Sequence, residues 1–408
     1  MAKLDFLNNF LEIEMGQSPE AIFVNKKNIG VPLLNGPAEF TEHYPMPVQY
    51  TTNAKRFADK GDILFCVRGS TTGRMNMADQ RYAIGRGLAA ITHKQGKHLN
   101  SFVKALLDLN LRGLLGGSHG SIFPNLTKDQ LFDFKCAIPD IFNQEKISNI
   151  VSSLEKKVHC NNKLNDNLEQ MAKTLYDYWF VQFDFPDANG KPYKTSGGKM
   201  VWSNELNREV PDGWSSSTLD EIGNITGGST PARDNESYFT SNGIAWITPK
   251  DLSLNVGKKF INKGELDVSE EGRNAASLNA MPRGTVLMSS RAPVGYLAIA
   301  RNEVTTNQGF KSFVPKSYFT TEFIYYTIKN LLPVIENNAS GSTFKEISSS
   351  VLKTIYFLAP KEQIIEMYTK SISSVFNMQE LIEEENQKLA ELRDWLLPML
   401  MNGQVNID

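Results

Sequence analysis

Cysteine is nearly absent: Cys66, Cys136 and Cys160 are the only three in 408 residues. Odd in number and far apart, they support neither a disulfide framework nor a cysteine-based zinc site. Long apolar runs are missing too, and none approaches the roughly 18–20 residues of a membrane span. The start, Met1 to Phe10, carries Lys3 and Asp5 and has no signal-peptide layout. A cytoplasmic location with no membrane partner is expected. The five histidines are dispersed and form no metal pattern. A dominant charge is also lacking, since the net charge is only −2. The remainder, 41% hydrophobic and 22% charged, is ordinary for a soluble globular chain. Its length favours two or three domains.

The charge is unevenly spread. Residues 1–140 hold 16 Lys/Arg against 13 Asp/Glu, residues 212–360 hold 14 against 14, and residues 361–408 hold 4 against 9. The acidic excess therefore lies at the C-terminal end, and the two large segments are neutral or slightly basic.

Those two segments are copies. Leu7–Phe10–Ile13–Gly16–Gln17–Ser18–Pro19 returns, shifted by 212, as Leu219–Ile222–Ile225–Gly228–Ser229–Thr230–Pro231. Gly61–Asp62–Ile63–Leu64–Phe65 matches Gly284–Thr285–Val286–Leu287–Met288, with Arg68 and Arg291 following. Gly120–Ser121–Ile122–Phe123 matches Gly341–Ser342–Thr343–Phe344. Ordered matches along a whole half-chain mark a duplication. Each copy has short apolar runs punctuated by Gly, Pro, Asn and Ser. Ile63–Val67, Leu88–Thr92, Val286–Ser290 and Leu297–Ala300 read as strands. Short helices are expected around Phe102–Leu111 and Phe323–Leu331.

After Pro139 and Pro360 the period changes. Core positions step by four and three through Ile147, Val151, Leu154, Val158, Asn161, Asn165, Leu168, Ala172, Leu175 and Trp179. The second series is Tyr368, Ile372, Val375, Gln379, Ile382, Asn386, Leu389, Arg393, Leu396 and Leu400. Such spacing is a coiled-coil seam, and polar residues in it fix register. Pro398 is expected to end the second helix. A helix of about 38 residues would span roughly 57 Å, comparable to about 17 base pairs of duplex.

The expected fold is α/β (α+β): two similar globules joined by two long antiparallel coiled-coil helices, with pseudo-two-fold symmetry. The expected boundaries are 1–142 for the first globule, 143–183 for the central helix and 184–211 for a linker. The second globule takes 212–360, the C-terminal helix 361–401 and a tail 402–408.

Several marks together resemble the specificity (S) subunits of type I restriction–modification systems. They are Met15–Gly16–Gln17–Ser18–Pro19, Ile247–Thr248–Pro249–Lys250–Asp251–Leu252, Pro360–Lys361–Glu362–Gln363, the aromatic run Leu175 to Pro186, and Pro211–Asp212–Gly213–Trp214. The first copy departs from the pattern in lacking a Pro-x-Gly-Trp opening. The resemblance implies a subunit without catalysis of its own, in which each globule is a target-recognition domain for one half of a bipartite sequence. The helices would set the spacer and dock two modification (M) subunits. Double-stranded DNA is the implied ligand, and restriction (R) subunits complete the complex. No cofactor is expected in this chain; S-adenosylmethionine, Mg and ATP are implied on the partner subunits. The competing readings are a recognition subunit of another DNA-modification or phage-exclusion system, and a protein-interaction scaffold.

Apparent catalytic motifs do not survive inspection. Gly85–Arg86–Gly87–Leu88–Ala89–Ala90 mimics a dinucleotide turn, but that turn needs a following helix and here a strand follows. Asp140, Glu155 and Lys157 only loosely resemble a nuclease set, and Cys66 reads as a core residue.

Candidate DNA contacts are the exposed donors beside glycine in the repeated loops. They are Arg68, Ser70, Thr71, Arg74, Arg86, Ser118, His119 and Ser121 in the first copy, and Lys250, Arg291, Gln308, Ser342, Thr343 and Lys345 in the second. Arginine grips phosphate or pairs bidentately with guanine, and hydroxyls suit phosphate oxygens. The loops Asn25–Lys27 and Arg233–Asn235 differ between the copies and are further places for base readout.

Overall fold

The computed structural model describes residues 3–41, 44–116, 125–341, 345–402 and 404. Two compact units divide the chain: residues 1–161 with 386–408, and residues 162–385.

In the first unit, Lys3–Phe6 pairs antiparallel with Lys135–Ile138. A four-stranded antiparallel sheet has the order Leu11–Met15, Leu88–His93, Ile63–Cys66, Met75–Met77. A second sheet has the order Val24–Asn25, Gln49–Thr51, Val31–Leu34, Tyr82–Ile84, Phe57–Ala58, with Val31–Leu34 parallel to Tyr82–Ile84. The strand Ile63–Cys66 reads as an unbroken apolar run because both its faces are covered. Ile63 and Phe65 pack with Phe102, Val103 and Leu106 of the helix Asn100–Leu109. Leu64 and Cys66, pointing the other way, pack with Leu34, Tyr82 and Ile84.

The second unit repeats the scheme. Ser215–Thr218 pairs with Tyr356–Ala359. One sheet runs Gly223–Thr226, Ser312–Pro315, Val286–Ser290, Val294–Ala300, Phe260–Ile261. The other runs Phe239–Thr240, Leu266–Val268, Ile244–Ile247, Val304–Thr306, again with one parallel pair, Ile244–Ile247 and Val304–Thr306. The two-faced strand recurs as Val286–Ser290: Val286 and Met288 join one core, and Leu287 joins another. The 184–211 segment is no bare linker. It contains the hairpin Met200–Ser203 and Arg208–Pro211, and Phe185 stacks on Trp214 at 5.0 Å between ring centres.

The long helices are Ile141–Tyr176 and Glu362–Met401. In the first unit, Ile147 and Val151 from the start of one share a core with Leu397, Leu400 and Met401 from the end of the other. Asn161 Nδ2 donates to Asn386 Oδ1 at 2.9 Å. The helices therefore run antiparallel in this unit. Leu154, Val158 and Asn161 continue the seam, with Leu389 and Leu396 half-buried opposite. In the second unit, Ala172, Tyr176 and Trp179 pack with Ile365, Tyr368, Ile372 and Phe376. There Asn165 and Ile382 are buried, while Leu168, Leu175 and Val375 are half-buried. One expectation is corrected: Pro398 lies inside the second helix. Burial of Leu397, Leu400 and Met401 holds that last turn in spite of the backbone donor that proline lacks.

The second unit fastens its helices with buried charge. Lys259, 3% exposed at its side chain, lies 2.7 Å from Glu169 on the first helix. Its Nζ also donates to Gln379 Oε1 at 2.6 Å and to the Tyr326 hydroxyl at 3.0 Å. Glu383 accepts the backbone N–H groups of Lys259 and Phe260 and meets Arg301 at 3.3 Å. Burial lowers Lys259 to about 8, with Glu169 opposing. Burial also pushes Glu169 up, but the Lys259 and Lys329 ammonium groups outweigh it and leave the carboxyl at about 2.

Candidate nucleic-acid interface

Three chain segments converge at one edge of the first globule. The turn Gly85–Arg86–Gly87 links strand Tyr82–Ile84 to strand Leu88–His93. Beneath it runs Gly16–Gln17–Ser18, where the Gly16 N–H donates to Leu88 O and the Gln17 N–H to Ile84 O, both at 2.9 Å. Ser18 Oγ accepts the Arg86 N–H at 3.2 Å. On the other side the Val67 N–H donates to Gly87 O at 2.9 Å, which sets Arg68 beside the turn. Gly16 is required by this closeness: a Cβ there would stand 2.1 Å from Gly85 O.

The second globule builds the same edge. The Ser229 N–H donates to Thr306 O at 3.0 Å, and the Ser290 N–H to Gly309 O at 2.7 Å, placing Arg291 beside the turn Asn307–Gln308–Gly309. Thr230 Oγ1 donates to Gln308 Oε1. A Cβ on Gly228 would stand 1.9 Å from Thr306 O. The repeated Gly-x-Ser/Thr-Pro motif is thus the brace of this turn.

The edge gathers some of the expected contacts and leaves others apart. Arg68, Ser70, Thr71, Arg74 and Arg86 are exposed. Among the described residues, no ion pair or side-chain hydrogen bond engages the guanidinium of Arg68 or Arg86. Arg74 is more committed, donating to the carbonyls of Pro37 and Phe40 at 3.3 and 3.2 Å. Arg291 is half-buried and lies 3.8 Å from Glu346. Gln308 and Lys345 are exposed. Lys250 lines a cleft of about 630 Å³ that adjoins the turn through Asn307 and is lined also by Arg233, Trp246 and Glu265. There it pairs with Glu265 at 2.5 Å, which raises the lysine and lowers the carboxyl. Ser118, His119, Ser121, Ser342 and Thr343 lie outside the described residues. The sequence reading missed the bracing roles of Ser18 and Thr230, although the repeated motif that holds them was plain.

The residue after the turn begins strand Leu88–His93, so Gly85–Arg86–Gly87 does not open the helix that a dinucleotide site needs. Cys66 is fully buried in the core.

Comparison with known proteins agrees with the duplication. The specificity subunit of the type I restriction enzyme HindI from Haemophilus influenzae is 26% identical, with 95% of each chain covered. The MjaIX specificity subunit of Methanocaldococcus jannaschii is 33% identical over 52% of this chain and 49% of its own. The type I S subunit from M. genitalium has the same fold, with a TM-score of 0.63 and 15% identity, covering 98% of this chain and 96% of that one. The model of the type I restriction modification DNA specificity domain matches residues 5–170 and again 211–391, one match on each copy, and the chain belongs to that family.

Proposed function

We propose that this chain is the DNA-reading subunit of a type I restriction–modification enzyme, each globule reading one half of a bipartite target. The observation that carries this reading is the edge built twice, with the same backbone brace and different side chains at its tip. Two readers of one design suit a target with two unlike halves. The long antiparallel helices set the spacer and give two modification subunits a docking surface; restriction subunits join that complex. Methyl transfer with S-adenosylmethionine, and ATP- and Mg-dependent steps, belong to those partners. Arg68 and Arg291, present in both copies, suit phosphate, which positions a protein without specifying sequence. Ser70, Thr71 and Lys345 add donors nearby.

The test is to express the chain with its modification subunits and map methylated bases across a genome. A bipartite motif with an unspecified spacer is expected. Replacing residues 1–140 by the corresponding globule of a relative should change one half of it. Methylation without sequence preference, or both halves altered by that exchange, would overturn the reading.

A further inference from the structure

The two braced turns differ at the tip. Arg86 stands where the second copy has Gln308, and both side chains are exposed. The backbone frame beneath them is shared: a glycine too close to the turn for any side chain and a strand end bonded to the turn's last carbonyl, while the hydroxyl before the motif's proline meets the Arg86 N–H in one copy and the Gln308 side chain in the other. Such a frame fixes the tip backbone, as a discriminating contact requires.

Phosphates are chemically the same at both half-sites, whereas bases are what distinguish them. A contact to phosphate has reason to stay the same in the two copies, as Arg68 and Arg291 do. A contact to a base has reason to change. Gln308 carries no charge and gains little from a phosphate; its Oε1 accepts the Thr230 hydroxyl but keeps a second lone pair, so the amide still offers a donor and an acceptor side by side. That pair matches adenine N7 and N6, and the arginine fork matches guanine O6 and N7. From this we propose that the turn tip is the base-discriminating position of each globule, with Arg86 reading guanine in one half-site and Gln308 reading adenine in the other. The proposal rests on the DNA-reading function above.

The experiment uses the chain assembled with its modification subunits and a duplex library randomised in both half-sites. Bound sequences are selected for the wild type, Arg86→Gln and Gln308→Arg. Arg86→Gln should lose preference for guanine at one position, by roughly tenfold or more, with the other half-site unchanged. Gln308→Arg should lose preference for adenine at one position of the other half-site and shift it toward guanine. Either variant keeping the wild-type motif would overturn the assignment, as would a lost position of another base. So would an assembled variant that binds no DNA, because the tip would then supply affinity and not discrimination. If the wild-type complex selects no sequence at all, the DNA-reading function itself fails.

Discussion

In the first unit the helix Asn100–Leu109 reaches the first long helix through Lys104 and Glu155, 2.6 Å apart and each about 30% exposed. In the second unit the helix Thr321–Asn338 reaches that long helix through Lys329 and Glu169, 2.7 Å apart, and the buried Lys259, enclosed by Glu169, Gln379 and Tyr326, is added to the pair. Lys259 is withdrawn from water, whereas Lys104, Glu155 and Glu169 are each about 30% exposed. Water screens the first pair, so its contribution is small. Lys259 has given up its hydration and depends on the acceptors around it. A duplicated fold has therefore fastened its two globules in electrostatically different ways.

Removing one partner should expose that difference most strongly. Lys259→Ala leaves Glu169 with Lys329, the Tyr326 hydroxyl and the Gln379 amide, but strips Gln379 Oε1 of its donor inside the core and should destabilise the protein by about 3 kcal/mol. Lys104→Ala should cost below about 1 kcal/mol. Denaturant melts of the two variants make the comparison, and equal losses would break it. Acid offers a second route. Glu169 is held at about 2, below its ordinary 4.5. A carboxyl lowered by folding adds stability that is present above about 4.5 and lost as the pH falls toward about 2. Glu169→Gln should flatten the fall in stability across that window. An unchanged slope would show that Glu169 does not carry it.

The braced edges should respond alike where the fastenings respond differently. A Cβ at Gly16 or Gly228 would meet backbone oxygen at 2.1 or 1.9 Å. Gly16→Ala and Gly228→Ala should each cost about 1–3 kcal/mol through forced backbone shifts. Each should weaken selection in one half-site only. Thermal melts and binding selection check both parts, and a variant that blurred both half-sites would contradict independent readers.

Duplication, strands and long helices were legible because they are written in local pattern: a short unbroken apolar run in Ile63–Cys66, alternating steps of four and three in the helices, glycine and proline between. The seam residues Ile147, Val151 and Ile372 are buried as that pattern implies. The fastening was illegible. Lys259 stands between Lys258 and Phe260 and reads as a surface lysine. Its contacts with Glu169, Tyr326 and Gln379, all far along the chain, make it a core residue. The brace was half legible: the motif repeats, but Ser18 meets the backbone of Arg86, 68 residues on, which no local pattern encodes. Pro398 misled because a proline reads as a helix stop, while burial of its neighbours Leu397, Leu400 and Met401 decides the outcome.

The smallest expected difference separates Arg68 from Arg291. Both follow the same strand and flank the same turn. Arg68 is exposed and, among the described residues, has no carboxylate partner, whereas Arg291 is half-buried and 3.8 Å from Glu346. A free arginine that grips a phosphate releases counterion on binding, and each such contact steepens the salt dependence by about 0.9 in log–log slope. Arg68→Ala should therefore weaken binding across all sequences and lower the slope by about that amount, leaving the selected motif alone. Arg291→Ala should lower it less, because the Glu346 carboxylate already offsets part of the charge. Glu346→Gln removes that offset and should raise affinity at low salt. Titrations of one duplex at several salt concentrations measure all three. Equal slopes for Arg68→Ala and Arg291→Ala would show that the ion pair opens on binding and that the two edges grip the backbone alike.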